Sequence, residues 1–145
     1  MAFAYFDTSA LIKRYVKELG RREVLTLLGK NHCVISAVLP VEVRSALRRR
    51  LAEKTLAAEA LPGILKRLAG DRPYWTIMDV SGEVLAAAEV LSGIHPLRAL
   101  DSIHVASAKL FRDRTGSESF TFISADAQQT SVAAALGLKT RYVGT

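Results

Sequence analysis

Short apolar runs at residues 2–6, 33–36, 75–80, 120–124 and 140–143 punctuate the chain. Rich in β-branched and aromatic residues, they read as strands. Between them the apolar positions return every three to four residues, which predicts helices. Leu11, Ile12, Tyr15, Val16 and Leu19 form such a stripe, so residues 9–17 read as a helix ended by Gly20. Further helices are expected over 21–30, from Pro40 to about Glu53, and over 55–69 with a bend at Pro62-Gly63. Three more follow at 83–91 (ended by Gly93), 100–112 (closing near Gly116) and 125–136 (ended by Gly137). Strands that alternate with helices predict an α/β fold, a parallel sheet with helices on both faces. In such sheets ligand sites collect beyond the carboxyl ends of the strands.

Composition narrows the class. At 145 residues, half of them hydrophobic, the chain has enough apolar surface for one domain spanning residues 1–145. No apolar run reaches bilayer length. The N-terminus lacks a basic region and Asp7 interrupts its apolar start, so no signal peptide is expected. The single cysteine, Cys33, excludes an internal disulfide and a cysteine zinc site, and the expected location is the cytoplasm. The net charge of +6 favours an anionic partner, either nucleic acid or an acidic protein.

Against that basic background the acids stand at chosen places. Asp7 directly follows the first strand in YFDTSALIKRY, and Asp126 follows the fourth in FTFISADAQQ. Glu42 opens a helix after the second strand in ISAVLPVEVRSALRRR, among Val38, Leu39, Val41 and Val43. Asp101 opens an apolar helix in HPLRALDSIHVASAKL. Each has a local reading as a helix cap or first-turn acid, with Ser124 the N-cap before Asp126. Yet Glu42 among apolar neighbours needs a partner charge or a metal. A parallel sheet would also gather these strand ends on one rim. Carboxylates crowded there require cations, and oxygen donors without Cys or His suit Mg²⁺ or Mn²⁺. Such ions activate water and stabilise charge on a phosphodiester. An acidic centre in a basic protein is the distribution of a nuclease.

Ser9 and Ser124 either cap helices or orient a carboxylate. Arg98, three residues before Asp101, is placed to pair with it or to meet a phosphate. Arg44, Arg48, Arg49 and Arg50 read as a solvated basic face or as a phosphate-contacting strip, and Lys13 and Arg14 have the same two readings. His32, His95 and His104 show no ligand spacing and read as structural or surface residues. Tyr74, Trp75 and the phenylalanines read as core.

DTSALIKRY, the glutamate of PVEVRSAL, LRALDSIHVASA and FISAD resemble the successive motifs of PIN-domain proteins, and among these the VapC-type toxins of toxin–antitoxin pairs. Each motif is short, but four in order, over residues 2–143, are specific. The resemblance implies a three-layer α/β/α sandwich and a Mg²⁺- or Mn²⁺-dependent endoribonuclease. It implies an acidic site of Asp7, Glu42, Asp101 and Asp126, supported by Ser9, Ser124 and Arg98. It further implies a homodimer and a small antitoxin that blocks the site. Two other readings stay open: a catalytically silent RNA- or protein-binding module on the same fold, and a solitary nuclease without an antitoxin. Aspartyl-phosphate chemistry at Asp7 fits poorly, because a DxDxT phosphatase needs an aspartate where Ser9 stands.

Overall fold

A computed structural model describes residues Met1 to Thr145. Its strands are β1 (Ala2–Phe6), β2 (Asn31–Ser36), β3 (Thr76–Met78), β4 (Thr121–Ser124) and β5 (Lys139–Tyr142). They form one sheet in the order β3-β2-β1-β4-β5, parallel throughout. The helices are α1 (Thr8–Leu11), α2 (Arg21–Lys30), α3 (Leu39–Ala52), α4 (Leu61–Asp71), α5 (Gly82–Ile94), α6 (Ala99–Thr115) and α7 (Ala127–Ala135). None is long and apolar enough to cross a membrane.

Side chains alternate between the faces of a strand, and that alternation divides the core in two. Ala4 and Phe6 of β1, Cys33 and Ile35 of β2 and Ile123 of β4 face α1 to α4. Tyr5, Val34, Phe120 and Phe122 face α5, α6 and α7. The result is the expected three-layer α/β/α sandwich. All central strands are apolar on both faces because both faces are covered. Chain order reverses on either side of β1, so the crevice between the carboxyl ends of β1 and β4 is the topological switch point. There the amide of Asp7 donates to the Ile123 carbonyl at 3.2 Å.

Several elements depart from expectation for identifiable reasons. The first helix is one α turn followed by a 3₁₀ turn at Ile12–Arg14, and Leu19 lies beyond it, 74% exposed. Gly20 does not end that helix but is the N-cap of α2, at φ +87°, and a Cβ there would lie 2.0 Å from the Val143 carbonyl oxygen. Residues 55–69 are not one bent helix: a 3₁₀ turn at Ala58–Ala60 precedes α4, whose first turn holds Pro62 where a missing N–H costs nothing. Helix α5 runs through Gly93 to Ile94. Tyr74 is not core: it is 86% exposed, whereas Trp75 packs against the core edge.

An ion cluster pins α4 to the segment after α1. Asp71 accepts from Arg14 Nε at 2.7 Å and Nη2 at 3.1 Å, and from the Tyr15 hydroxyl at 2.6 Å. Arg67 lies over the Tyr15 ring at 5.7 Å. These partners outweigh burial and hold the Asp71 carboxyl below its ordinary value.

Candidate active site

One cleft of about 650 Å³ is lined by Asp7, Glu42, Asp101 and Asp126 together. The four come from different parts of the chain: the end of β1, the first turn of α3, the first turn of α6, and the turn from β4 into α7. A larger cleft of about 700 Å³ beside α4 collects no comparable acidic set, with Glu18 and Glu53 set among Lys17, Arg21, Arg50 and Arg67.

Asp7 is the most enclosed of the acids, 1% exposed. It is the N-cap of α1, and its Oδ1 accepts from the Ala10 amide at 3.0 Å. Ser9 donates across both carboxylate oxygens at 2.8 and 2.9 Å, and Ser124 donates to Oδ2 at 2.8 Å. Each serine also accepts from backbone, Ser9 from the Ala125 amide at 3.0 Å and Ser124 from the Asp126 amide at 2.9 Å. The two hydroxyls therefore fasten the end of β1 to the end of β4 through the carboxylate. Burial pushes the Asp7 carboxyl up, against the pull of His104, the two hydroxyls and the Ala10 amide.

Glu42 finds the partner its apolar surroundings demanded. Its Oε1 accepts from the Thr8 hydroxyl at 2.7 Å and lies 2.5 Å from His104 Nε2. Burial alone would raise this carboxyl; the bond and charge of His104, then Thr8, outweigh it and hold it below its ordinary value. Of the two readings, surface or structural, the structure therefore excludes the surface one for His104. It is 1% exposed, lines the cleft, and holds the Tyr5 hydroxyl at Nδ1 at 2.7 Å. The sequence carried one signal for it: His104 stands three residues after Asp101 on one helix, hence on the same face.

Asp101 Oδ1 accepts from the side-chain Nε2 of Gln129 at 2.9 Å. Burial, then the facing charge of Asp126, push its carboxyl up, offset in part by Arg98. Asp126, not Ser124, is the N-cap of α7, accepting from the Gln128 and Gln129 amides at 2.9 and 3.1 Å. Gln129 is a second residue that sequence reasoning missed. It is buried, and its side-chain oxygen has no hydrogen-bond partner.

The basic residues divide. Arg49, Arg50 and Arg98 line the acidic cleft, though Arg50 is paired with Glu18 at 3.0 Å. Lys13 and Arg14 do not extend the basic strip: Lys13 is buried against Glu18 at 3.1 Å, and Arg14 is committed to Asp71. Arg44 lines a separate groove of about 190 Å³ with Trp75, and Arg48 is exposed away from both.

The donor set fits a hard divalent cation in kind. Carboxylate oxygens predominate, two of the acids repel each other, and the Gln129 oxygen is an orphan acceptor in the same wall. The four acids line one cleft, although no three Asp, Glu, His or Cys side chains are gathered on a single point.

The fold and this acidic cleft define an α/β protein of nuclease-like construction, and comparison with known proteins agrees in family. The chain belongs to the PIN domain family, whose profile matches residues 4–136. No curated protein matches its sequence. Solved structures share the fold at low identity. A toxin–antitoxin complex from Klebsiella pneumoniae is 20% identical, with TM-score 0.63, over 88% of this chain and 90% of that one. FitAcB from Neisseria gonorrhoeae is 17% identical, with TM-score 0.66, over 95% and 96%. VapBC2 from Rickettsia felis, bound to a DNA fragment from their promoter, is 15% identical, with TM-score 0.61, over 97% and 98%.

Proposed function

We propose that this protein is a Mg²⁺- or Mn²⁺-dependent endoribonuclease and the toxin of a VapBC-type pair. One observation carries the reading: four acids from four separate elements line a single cleft in a PIN-family chain of net charge +6. Asp7, Glu42 and Asp101 would hold the main ion, and Asp126 would complete that site or assist a second. When bound, the ion lowers the pKa of a water and offsets charge on the phosphate.

The chain's own groups do the rest. Ser9 and Ser124 keep the Asp7 carboxylate in one orientation, although burial disfavours its charge. Arg49 and Arg98, both exposed on the cleft wall, attract the phosphodiester and hold its neighbours. Water adds to phosphorus as the 3′ oxygen leaves, giving 5′-phosphate and 3′-hydroxyl ends.

A small antitoxin is the proposed protein partner, supported by the toxin–antitoxin complex among the structural relatives. The nuclease is proposed to work as a homodimer. If no antitoxin exists, the same chemistry makes it a solitary nuclease.

A second reading has one observation in its favour. No three of the candidate ligands are gathered on one point, which suits a silent RNA- or protein-binding module. Asp101→Asn separates the two. On the nuclease reading the folded variant loses RNA cleavage; a folded Asp101→Asn protein that cuts as fast as the parent sinks it.

A further inference from the structure

We propose that His104 is a positioning residue that presents Glu42 to the cation site, an inference that rests on the nuclease reading. The imidazole sits between two fixed partners. Nε2 faces Glu42 Oε1 at 2.5 Å, and Nδ1 faces the hydroxyl of Tyr5, itself fully buried in β1, at 2.7 Å. A flip of the ring would put carbon atoms where both nitrogens stand and forfeit both bonds, so the ring has one orientation. An ionised carboxylate can only accept, so Nε2 is the donor to Glu42. Thr8 donates to the same Oε1 at 2.7 Å. Both protein contacts thus fall on one carboxylate oxygen. The other oxygen, Oε2, makes no protein hydrogen bond, and Glu42 lines the cleft.

The geometry links three acids through one helix and one strand. Helix α6 carries Asp101 and, three residues on, the ring that holds Glu42. Strand β1 carries Tyr5, which holds the ring, and ends at Asp7. Tyr5 is in turn stacked on Phe122 of β4 at 5.6 Å with the planes 11° apart. Glu42 is the only one of the four acids on α3, and its placement relative to the sheet is transmitted through this chain of contacts. Outer-shell groups that orient a ligand in this way typically change metal affinity about 10- to 100-fold when removed.

The test is Mn²⁺ binding to the purified full chain without RNA, followed by electron paramagnetic resonance, with thermal melting to confirm folding. His104→Ala is expected to weaken Mn²⁺ about 10- to 100-fold. His104→Gln, whose amide can donate from near the Nε2 position, is expected to recover most of that loss. His104→Asn, too short to reach Glu42, is expected to behave like the alanine variant and decides the matter if alanine does not fold. In cleavage assays the Mn²⁺ concentration for half-maximal rate should rise by the same factor, while KM for RNA at saturating Mn²⁺ stays unchanged. Parent-like Mn²⁺ affinity in both the alanine and asparagine variants, or in whichever of them folds, overturns the proposal. An Asp101→Asn control tells the two failures apart. If that control weakens Mn²⁺ and the His104 variants do not, only the positioning role fails. If it too leaves binding unchanged, or the parent binds no Mn²⁺, the nuclease reading falls and takes this inference with it.

Discussion

Replacing Asp7 by asparagine should abolish activity and yet stabilise the metal-free protein. The side chain is 1% exposed and its charge is opposed by burial. Asparagine keeps an oxygen for the Ala10 amide, so the cap on α1 survives, Asn and Asp being equivalent there. Its amide group takes the place of Oδ2, and the Ser124 hydroxyl can turn to accept from it, having a second lone pair beyond the one used by the Asp126 amide. What is removed is a buried charge, and substitutions that relieve such functional strain commonly add about 1 kcal/mol. For a chain of this size that is a rise in Tm of roughly 3 °C. Asp7→Ala should do the opposite. It loses the cap, worth about 1 kcal/mol, and leaves the buried Ser124 and the half-buried Ser9 hydroxyls without their acceptor at roughly 1 kcal/mol each. Set against the same relief of a buried charge, about 1 kcal/mol, the net loss of about 2 kcal/mol should lower Tm by about 6 °C. The pH dependence has a definite sign. Because the folded pKa lies above the ordinary 3.8, the native state binds more protons between those values, and parent stability falls as pH rises through that window. The advantage of asparagine must therefore grow from acid toward neutral pH. Melting curves of parent, Asn and Ala variants in chelator across that range check it. An asparagine variant that melts as low as the alanine variant at neutral pH, or whose advantage ignores pH, refutes the reasoning.

Other consequences are open to simpler assays. Asp101→Asn removes the repulsion with Asp126, so without metal its Tm should exceed the parent's at neutral pH and converge with it as Asp101 protonates on acidification above 3.8. Asp71→Asn loses the charged acceptor for Arg14 and Tyr15 and should cost about 1–2 kcal/mol by urea denaturation, a figure kept low because Arg14 is partly exposed. Phe122→Ala empties a fully buried site stacked on Tyr5, and the same denaturation curves should show a loss of about 3–5 kcal/mol. Arg49→Ala should raise KM for RNA and reduce the slope of log affinity against log salt by about one, whereas Arg14→Ala should leave that slope unchanged.

The fold was legible wherever periodicity decided it. Residues 2–6 and 21–30 coincide with β1 and α2 because a short continuous apolar run and a clean helical stretch leave no competing reading. The acids were legible for the same reason, since each follows a strand or opens a helix. Capping chemistry shifted the details: Asp126 outcompeted Ser124 for the N-cap because the serine hydroxyl is engaged by Asp7 across the sheet. Tertiary pairing accounts for the rest. Lys13 and Arg14 look like a free basic pair, but Glu18 and Asp71 claim them, the latter from 57 residues away. His104 lacks ligand spacing because its partners, Tyr5 and Glu42, lie 99 and 62 residues distant. No local pattern carries contacts of that range.

Incubating the purified protein with total cellular RNA in Mg²⁺, in Mn²⁺ and in chelator, beside folded Asp7→Asn, tests the nuclease assignment most directly. Cleavage in either metal, absent in chelator and in the variant, with 5′-phosphate and 3′-hydroxyl ends, is the predicted result. Cleavage that persists in chelator or in folded Asp7→Asn would contradict it, as would intact RNA under every condition.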